Sequence, residues 1–165
     1  IVLVIFMSPD FNRLAAQFLQ RIPVSTDSDY FNVYYGAWHI FTDNVFLGIG
    51  AGNYRELCPQ LTSGLMNFRC DNHPHNYYIQ LLTETGILGF VSGTFMIASL
   101  VITLVWAGHG NKQNIFAVTA YIVPLGLFFP LQSTADFFGQ WNNIFLWIAV
   151  ALSMSAVNLW TEADR

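Results

Sequence analysis

The stretch Cys70-Asp-Asn-His-Pro-His-Asn-Tyr-Tyr-Ile-Gln-Leu-Leu-Thr-Glu-Thr-Gly-Ile-Leu-Gly89 changes from polar to apolar within a few helical turns. Four side chains capable of acid–base or hydrogen-bonding chemistry stand near its beginning: Asp71, His73, His75 and Asn76. The run that follows, from Ile87 to Trp106, contains no ionisable side chain. Because about 20 apolar residues suffice to cross a bilayer, we expect a helix to enter a membrane here. The polar end of that helix, at the boundary between water and lipid, is the candidate functional site.

The composition favours a membrane protein. Hydrophobic residues make up 54% of the chain and charged residues only 10%, whereas soluble domains carry about 25% charged residues. Between residues 85 and 135 the only formally charged side chain is Lys112. The net charge is -4 with six lysines and arginines, and nucleic-acid binding requires a basic patch or stripe. We therefore expect membrane lipids, and no nucleic acid, among the partners.

The apolar runs predict an all-α, multi-span helical membrane protein with a large helical loop outside the cytoplasm. Residues 1–7 are expected to end a transmembrane helix, residues 8–76 to form the water-facing loop, and residues 77–165 to contain three spans. The predicted spans are about 85–107, 115–131 and 144–160.

Inside the loop, apolar spacing predicts two helices. Residues 11–22 carry apolar side chains in the helical i, i+3, i+4 pattern, as expected for a helix on the membrane surface. A second helix is expected from Ser28 or Asp29, both good N-cap residues, to about Thr42. The glycine-rich segment 47–54 is interpreted as a tight loop, since no Gly-Lys-Ser/Thr follows to make a nucleotide site.

Two cysteines, Cys58 and Cys70, fall in the water-facing region. Outside the cytoplasm such a pair is expected to form a disulfide. The alternative is a metal site made of Cys70, Asp71, His73 and His75, which ligand type alone permits; we predict that no metal is bound.

The number of spans sets the orientation. If residues 1–7 end a span, then the loop and the turn at 108–114 lie on opposite sides of the membrane. Lys112 and Arg165 would share the inner face, in keeping with the positive-inside tendency. The cysteine pair favours the same orientation, with the loop outside the cytoplasm.

Residues 74–89 resemble the signature of the bacterial O-antigen ligase and O-antigen polymerase family. That signature is a His-Asn pair, nine variable residues, then Gly, two apolar residues and Gly, and it is matched here by His75-Asn76 and Gly86-Ile-Leu-Gly89. The resemblance extends over about residues 28–160. It includes two further segments: the upstream stretch Asp43–Tyr54, and Phe129-Pro130 with Ser133 and Phe137-Phe138.

The resemblance implies a glycosyltransferase of the bacterial inner membrane with its large loop and active site in the periplasm. Such an enzyme moves a glycan from an undecaprenyl-pyrophosphate carrier to a hydroxyl of a lipid or glycan acceptor, such as lipid A–core, without a cofactor or required metal. Family members are longer, so the chain resembles their C-terminal part. An O-antigen or polysaccharide polymerase of the same family, or a non-catalytic assembly or transport subunit, are the alternatives.

The expected chemistry needs a base near neutrality for the acceptor hydroxyl and cations for the departing pyrophosphate. His75 is the predicted catalytic base, because it matches the family's motif and histidine titrates near pH 6.5. Pro74 is predicted at the first helical position, and a helix N-terminus would keep His75 neutral.

Four further roles are predicted near His75. Arg69 and Arg55 are expected to hold the pyrophosphate, and Asn76 to contact pyrophosphate or glycan. His73 is expected to be a cap or surface histidine, and Glu84 a helix-end carboxylate with a local partner. The family usually places an arginine near the position of Tyr30, so either Arg21 or another group replaces it.

Overall fold

The computed structural model describes residues 12, 13, 16, 28–64, 69–109 and 115–163. Their bounded helices are α1 (Asp29–Asp43), α2 (Tyr54–Leu61), α3 (Tyr77–His109), α4 (Ile115–Leu127) and α5 (Gln140–Ala163). No strand occurs among these residues, so the predicted all-α class is confirmed for the part of the chain that the structure describes. Residues 1–7 and most of the predicted 11–22 helix lie outside it; residues 12, 13 and 16 are helical.

Helix α1 begins and ends within a residue of the prediction. Ser28 occupies the N-cap position and Asn44 the C-cap position. Val33, Ala37 and Ile40 are buried along one face, at the i, i+4, i+7 spacing that forms an apolar stripe. Helix α1 as a whole packs mainly against α3, and Ala37 and Ile40 of this stripe share a buried cluster with Tyr54 and Cys58 of α2.

Helix α3 is broken at Gly86, which has φ 65° and ψ -168°. A break leaves nearby amides and carbonyls without helical partners, and the turn after α1 supplies them. The amide of Ile87 donates to the carbonyl of Val45 at 2.8 Å, and the amide of Gly50 donates to the carbonyl of Glu84 at 2.8 Å. The upstream turn and the break are thus one hydrogen-bonded unit.

Two glycines make this unit possible. Gly48 and Gly86 both have φ of +65°, in the left-handed region that favours glycine. A Cβ on Gly48 would run into the backbone of Glu84, and a Cβ on Gly86 would run into the backbone of Phe46. The glycine-rich segment is a tight loop, as predicted, and the structure adds its docking into α3.

The buried apolar side chains of the described residues form three groups. The first joins α3 to α5 and to the end of α4: Tyr77, Leu81, Ile97, Phe128, Leu146 and Val150. The second joins α1 to α2: Ala37, Ile40, Tyr54 and Cys58. The third joins α3 to α4 through Leu104 and Ala120. Since α3 contacts α1, α2, α4 and α5, it connects these groups.

Among the described residues, one helix is long and apolar enough to cross a membrane, from Tyr77 to Ala107. Only 11% of its most apolar window is buried, unlike the core helix of a soluble protein. Helix α4 has 13 residues and ends at Leu127, short of the predicted 131, because Pro130 disfavours helical backbone at the residue before it. Helix α5 has 24 residues and contains the predicted 144–160 segment. The multi-span arrangement stays a prediction.

Candidate functional site

The first helical residue of α3 is fixed by Asn76. Its side-chain oxygen accepts hydrogen bonds from the amides of Tyr78 at 3.0 Å and Ile79 at 3.2 Å, which is N-capping geometry. His75 has φ of 55°, a left-handed conformation that a right-handed helix cannot contain. The prediction that Pro74 is the first helical residue is therefore wrong: Pro74 and His75 both precede α3.

Three side chains contact His75, and a fourth, Arg69, is joined to it through Asp71. Its Nε2 lies 3.2 Å from Oδ2 of Asp71, and the other oxygen of Asp71 accepts a hydrogen bond from Nε of Arg69 at 3.1 Å. The rings of His73 and Tyr30 lie against the imidazole, with centroids 4.3 Å and 5.9 Å away. The side chain of His75 is 30% exposed, so a substrate can reach it.

His73 is part of this cluster rather than a cap or surface residue, which corrects the prediction. Its Nε2 lies 3.1 Å from the carbonyl oxygen of Thr134, and the residue is half-buried. Burial lowers the pKa of His73, although the bond to Thr134 and the nearby carboxylates act in the opposite direction. The neutral form of His73 is thus favoured beside His75.

The segment between α4 and α5 covers the site from the other side. The amide of Thr134 donates to the carbonyl of His75 at 2.8 Å, and the Tyr30 hydroxyl donates to Oγ of Ser133 at 3.1 Å. Sequence reasoning missed both contacts, since the partners are about 60 and 100 residues apart. The available signals were the family position near Tyr30 and the resemblance around Ser133.

Asn76 is also tied to that segment. Its Nδ2 donates to the carbonyl of Pro130 at 2.7 Å and to that of Gln132 at 3.5 Å. Both ends of the amide are therefore engaged within the protein, and the residue is buried. The contacts of Asn76 in this structure lie within the protein, and its predicted contact with pyrophosphate or glycan stays a prediction.

Beneath the cluster, a buried polar network joins α3 to the glycine-rich loop. The Glu84 carboxylate accepts hydrogen bonds from the amides of Gly52 and Tyr54. Gln80 donates to Glu84 at 3.3 Å and to Asp136 at 2.6 Å. The expected local partner of Glu84 is present as Gln80, but the two backbone donors come from 30 or more residues upstream.

Cys58 and Cys70 are joined in a disulfide with a Cα–Cα distance of 5.9 Å, within the usual range for such bridges. The bond attaches the segment carrying Arg69 and Asp71 to helix α2. Because Cys70 is in the disulfide, it supplies no thiolate to the alternative metal site. In the described part of the chain, no three His, Cys, Asp or Glu side chains are grouped to hold a metal ion.

The structure separates the two predicted phosphate-binding arginines. Arg69 is connected to His75 through Asp71. Arg55 is exposed on α2, and no hydrogen bond or ion pair recorded among the described residues joins it to the cluster. Arg21 lies outside the described residues.

An apolar cavity of about 180 Å³ lies between α3 and the C-terminal end of α4 with the residues that follow it. Its walls include Ile97, Leu125 and Phe128, together with Tyr78 and Pro130. Since the carbonyl of Pro130 is also the partner of the residue after His75, the cavity borders the polar cluster. An apolar chain and a polar head group could thus be accommodated side by side.

Comparison with known proteins identifies the family of the chain. A family model described as O-antigen ligase matches residues 1–94, more than half of the 165 residues, including His75 and the glycines at 86 and 89. No curated protein and no solved structure gives a significant match. The family expected from the His-Asn motif is confirmed, and the chain belongs to the O-antigen ligase family.

Proposed function

We propose that this protein is a glycosyltransferase of the bacterial inner membrane with its active site facing the periplasm. It transfers a glycan from undecaprenyl pyrophosphate to the hydroxyl of a lipid or glycan acceptor, as an O-antigen ligase does. His75 is the general base, and Arg69 binds the pyrophosphate. The observation that carries the proposal is the contact of His75 with the Asp71–Arg69 pair at the polar end of the apolar helix.

The chemistry requires few groups. The acceptor oxygen attacks the anomeric carbon of the donor sugar while its proton passes to the imidazole of His75. The bond from that carbon to the pyrophosphate oxygen breaks, and the pyrophosphate departs with both bonding electrons. Pyrophosphate is a good leaving group, so a strong general acid is unnecessary, and a guanidinium near the developing charge lowers the barrier. Arg69 is positioned for this by its bond to Asp71.

The surroundings of the cluster fit a lipid-linked donor. The apolar cavity beside Pro130 can take part of a hydrocarbon chain, while the polar cluster faces the head group. The candidate span begins at Tyr77, two residues after His75. A donor embedded in the membrane would therefore bring its pyrophosphate to the level of the cluster.

The test is transfer by the purified full-length protein, with lipid-linked glycan as donor. His75→Ala should lower turnover by at least about 100-fold, in the range that a general base contributes, with donor binding retained. His39→Ala is the matched control, because His39 lies on α1 and outside the cluster, and it should remain near wild type. Near-normal turnover of His75→Ala would refute the active-site assignment.

The acceptor offered in the same assay separates ligase from polymerase. Transfer to a lipid A–core acceptor gives a ligase product, whereas extension of a second lipid-linked glycan gives a polymerase product. We expect the ligase product, in keeping with the family that the chain matches.

A further inference from the structure

Asp71 contacts the candidate base directly, and neither the His-Asn motif nor the expected phosphate contacts assign it a role. We propose that Asp71 is a positioning residue that keeps the proton on Nε2 of His75, so that Nδ1 is the atom that accepts the proton of the acceptor hydroxyl. This inference rests on the proposed function, and it adds the identity of the reacting nitrogen and the group that selects it.

The hydrogen bond sets the tautomer. Oδ2 of Asp71 lies 3.2 Å from Nε2 of His75, and an ionised carboxylate can only accept a hydrogen bond. Nε2 must therefore carry the hydrogen. In a neutral imidazole the other nitrogen then holds the free lone pair, and the bond made by one nitrogen decides the state of the other.

The ring has little freedom to exchange its nitrogens. The backbone of His75 is held in a left-handed conformation by the bond from Thr134 to its carbonyl. The rings of His73 and Tyr30 flank the imidazole. A 180° flip of the ring would place a carbon atom next to Asp71 and lose the hydrogen bond. The hydrogen bond to Asp71 therefore favours the observed orientation of the ring.

The charges around the pair also support a proton arriving on His75. Protonation during the reaction makes an imidazolium next to the Asp71 carboxylate, an attraction that stabilises it. His73 favours its neutral form because burial lowers its pKa, so it adds little repulsion. Arg69 contacts Oδ1 of Asp71, so Oδ2 remains available to His75.

The remaining titratable groups around the pair are Asp136, whose carboxylate acts on His73, and two tyrosines. Tyr30 lies against the imidazole from α1. Tyr54 of α2 is buried, and burial together with nearby Asp71 and Glu84 raises its pKa. Tyr54 is therefore uncharged in the working pH range, and Asp71 is the carboxylate in direct contact with His75.

A structural role for the Asp71–His75 pair predicts something different. The side chains are 27% and 30% exposed, and ion pairs with such access to water contribute little to folding stability. If Asp71 served only the fold, its loss would change unfolding and activity slightly. If Asp71 positions the base, its loss should lower turnover while leaving the fold intact.

The experiment compares Asp71→Asn and Asp71→Glu in the full-length protein, with Asp43→Asn as control because Asp43 is exposed at the end of α1. Asp71→Asn should lower kcat at least about tenfold, within the contribution of a general base, with the donor KM changed by less than about twofold. Asp71→Glu should recover part of kcat, and Asp43→Asn should match wild type.

Two results would overturn the inference. One is an unchanged kcat in Asp71→Asn. The other is a loss seen entirely as a higher donor KM, which would make Asp71 an accessory of Arg69; Arg69→Gln, measured in parallel, shows how large a KM effect the loss of Arg69 has. An inactive His75→Ala together with an unchanged kcat in Asp71→Asn would remove this inference alone, whereas an active His75→Ala would remove the proposed function.

The wild-type protein offers an independent test. With histidine labelled by nitrogen-15, two-bond correlations of the imidazole report which ring nitrogen carries the hydrogen, and His75→Gln assigns the signal. The expected neutral state has the hydrogen on Nε2. A hydrogen on Nδ1 would overturn the inference whatever the behaviour of the Asp71 variants.

Discussion

Gly48 and Gly86 lie in mutual close contact between the turn after α1 and the break in α3, each with φ of +65° and neither with room for a Cβ. This contact connects the first glycine of the family signature to a loop about 40 residues upstream. It also fixes where α3 changes direction, two turns after the site. The fold of the loop and the position of the candidate base therefore depend on the same pair of glycines.

Gly86→Ala and Gly48→Ala should each destabilise the protein. A left-handed residue with a Cβ costs about 1–2 kcal/mol, and forcing extra atoms into a packed contact adds about 1–3 kcal/mol. Thermal unfolding in detergent should show both variants with clearly lowered Tm.

Two control variants distinguish the cost of backbone strain at a positive φ from the cost of a clash between an added Cβ and its neighbours. Gly52 has φ of +77° but nothing within 4 Å of an added Cβ, and Gly64 also has open space around it. Gly52→Ala should show the smaller loss due to strain, and Gly64→Ala almost none. Equal Tm values for Gly86→Ala and Gly64→Ala would contradict the close contact.

The contrast between α1 and the break in α3 shows what the sequence could predict. Helix α1 was predictable because its signals are local: Ser28 at the start, apolar residues at helical spacing and Asn44 at the end. The break at Gly86 was not predictable, since the apolar run continues through it. The hydrogen bonds that compensate for the break come from distant residues: Val45 accepts from Ile87, and Gly50 donates to Glu84. Partners so distant in the chain have no signature in a local pattern.

For the candidate site, the sequence predicted the identity of the central residue but not its conformation or its contacts. His75 could be singled out by the His-Asn motif, but its backbone conformation could not. Pro74 and Asn76 are both good helix-start residues, and spacing alone does not choose between them. The contacts of His75 with Tyr30 and Thr134 depend on how α1 and the segment before α5 fold over α3.

The disulfide between Cys58 and Cys70 should be detectable as an absence of free thiols in denatured, non-reduced protein. Closing a loop of this size stabilises by roughly 2–4 kcal/mol, so Cys58→Ser with Cys70→Ser should lower Tm. Donor affinity should also fall, because Arg69 and Asp71 lie beside the bridge. Two titratable thiols in the untreated protein would contradict the bond.

The predicted topology places residues 8–76 in the periplasm and the turn at 108–114 in the cytoplasm. Gln113 lies outside the described residues, while Gln60 is exposed on α2. In intact cells, a membrane-impermeant thiol reagent should label Gln60→Cys and leave Gln113→Cys unlabelled until the membrane is opened. Ready labelling at Gln113→Cys would reverse the assigned orientation.

His73 should make the stability of the protein depend on pH. Burial lowers its pKa in the folded state below the unfolded value of about 6.5. Between these two pKa values the unfolded chain binds more protons than the folded protein. The free energy of unfolding is therefore maintained above about pH 6.5 and falls as the pH drops through the folded pKa. Tm measured across the acidic range should decline less steeply for His73→Gln than for wild type.

His39→Gln is the matched control for that series, because His39 lies on α1 and away from Thr134. It should keep the wild-type slope. If His73→Gln and wild type lost stability in parallel on acidification, the burial of His73 would not be the source of the effect.

The last prediction concerns the two arginines of the loop. Arg69→Ala should raise the donor KM by about 10- to 100-fold, the range of a hydrogen bond to a charged group, because Arg69 is linked to the base through Asp71. Arg69→Lys should bring the donor KM only partly back towards the wild-type value. An ammonium cannot reproduce the guanidinium fork, which can bind a phosphate while it donates to the carboxylate. Arg55→Ala removes the same charge from an exposed position on α2 and should change KM by less than about threefold, as expected for screened surface charges. Kinetics with varied donor at fixed acceptor measure all three, and a larger effect for Arg55→Ala than for Arg69→Ala would transfer the pyrophosphate contact to α2.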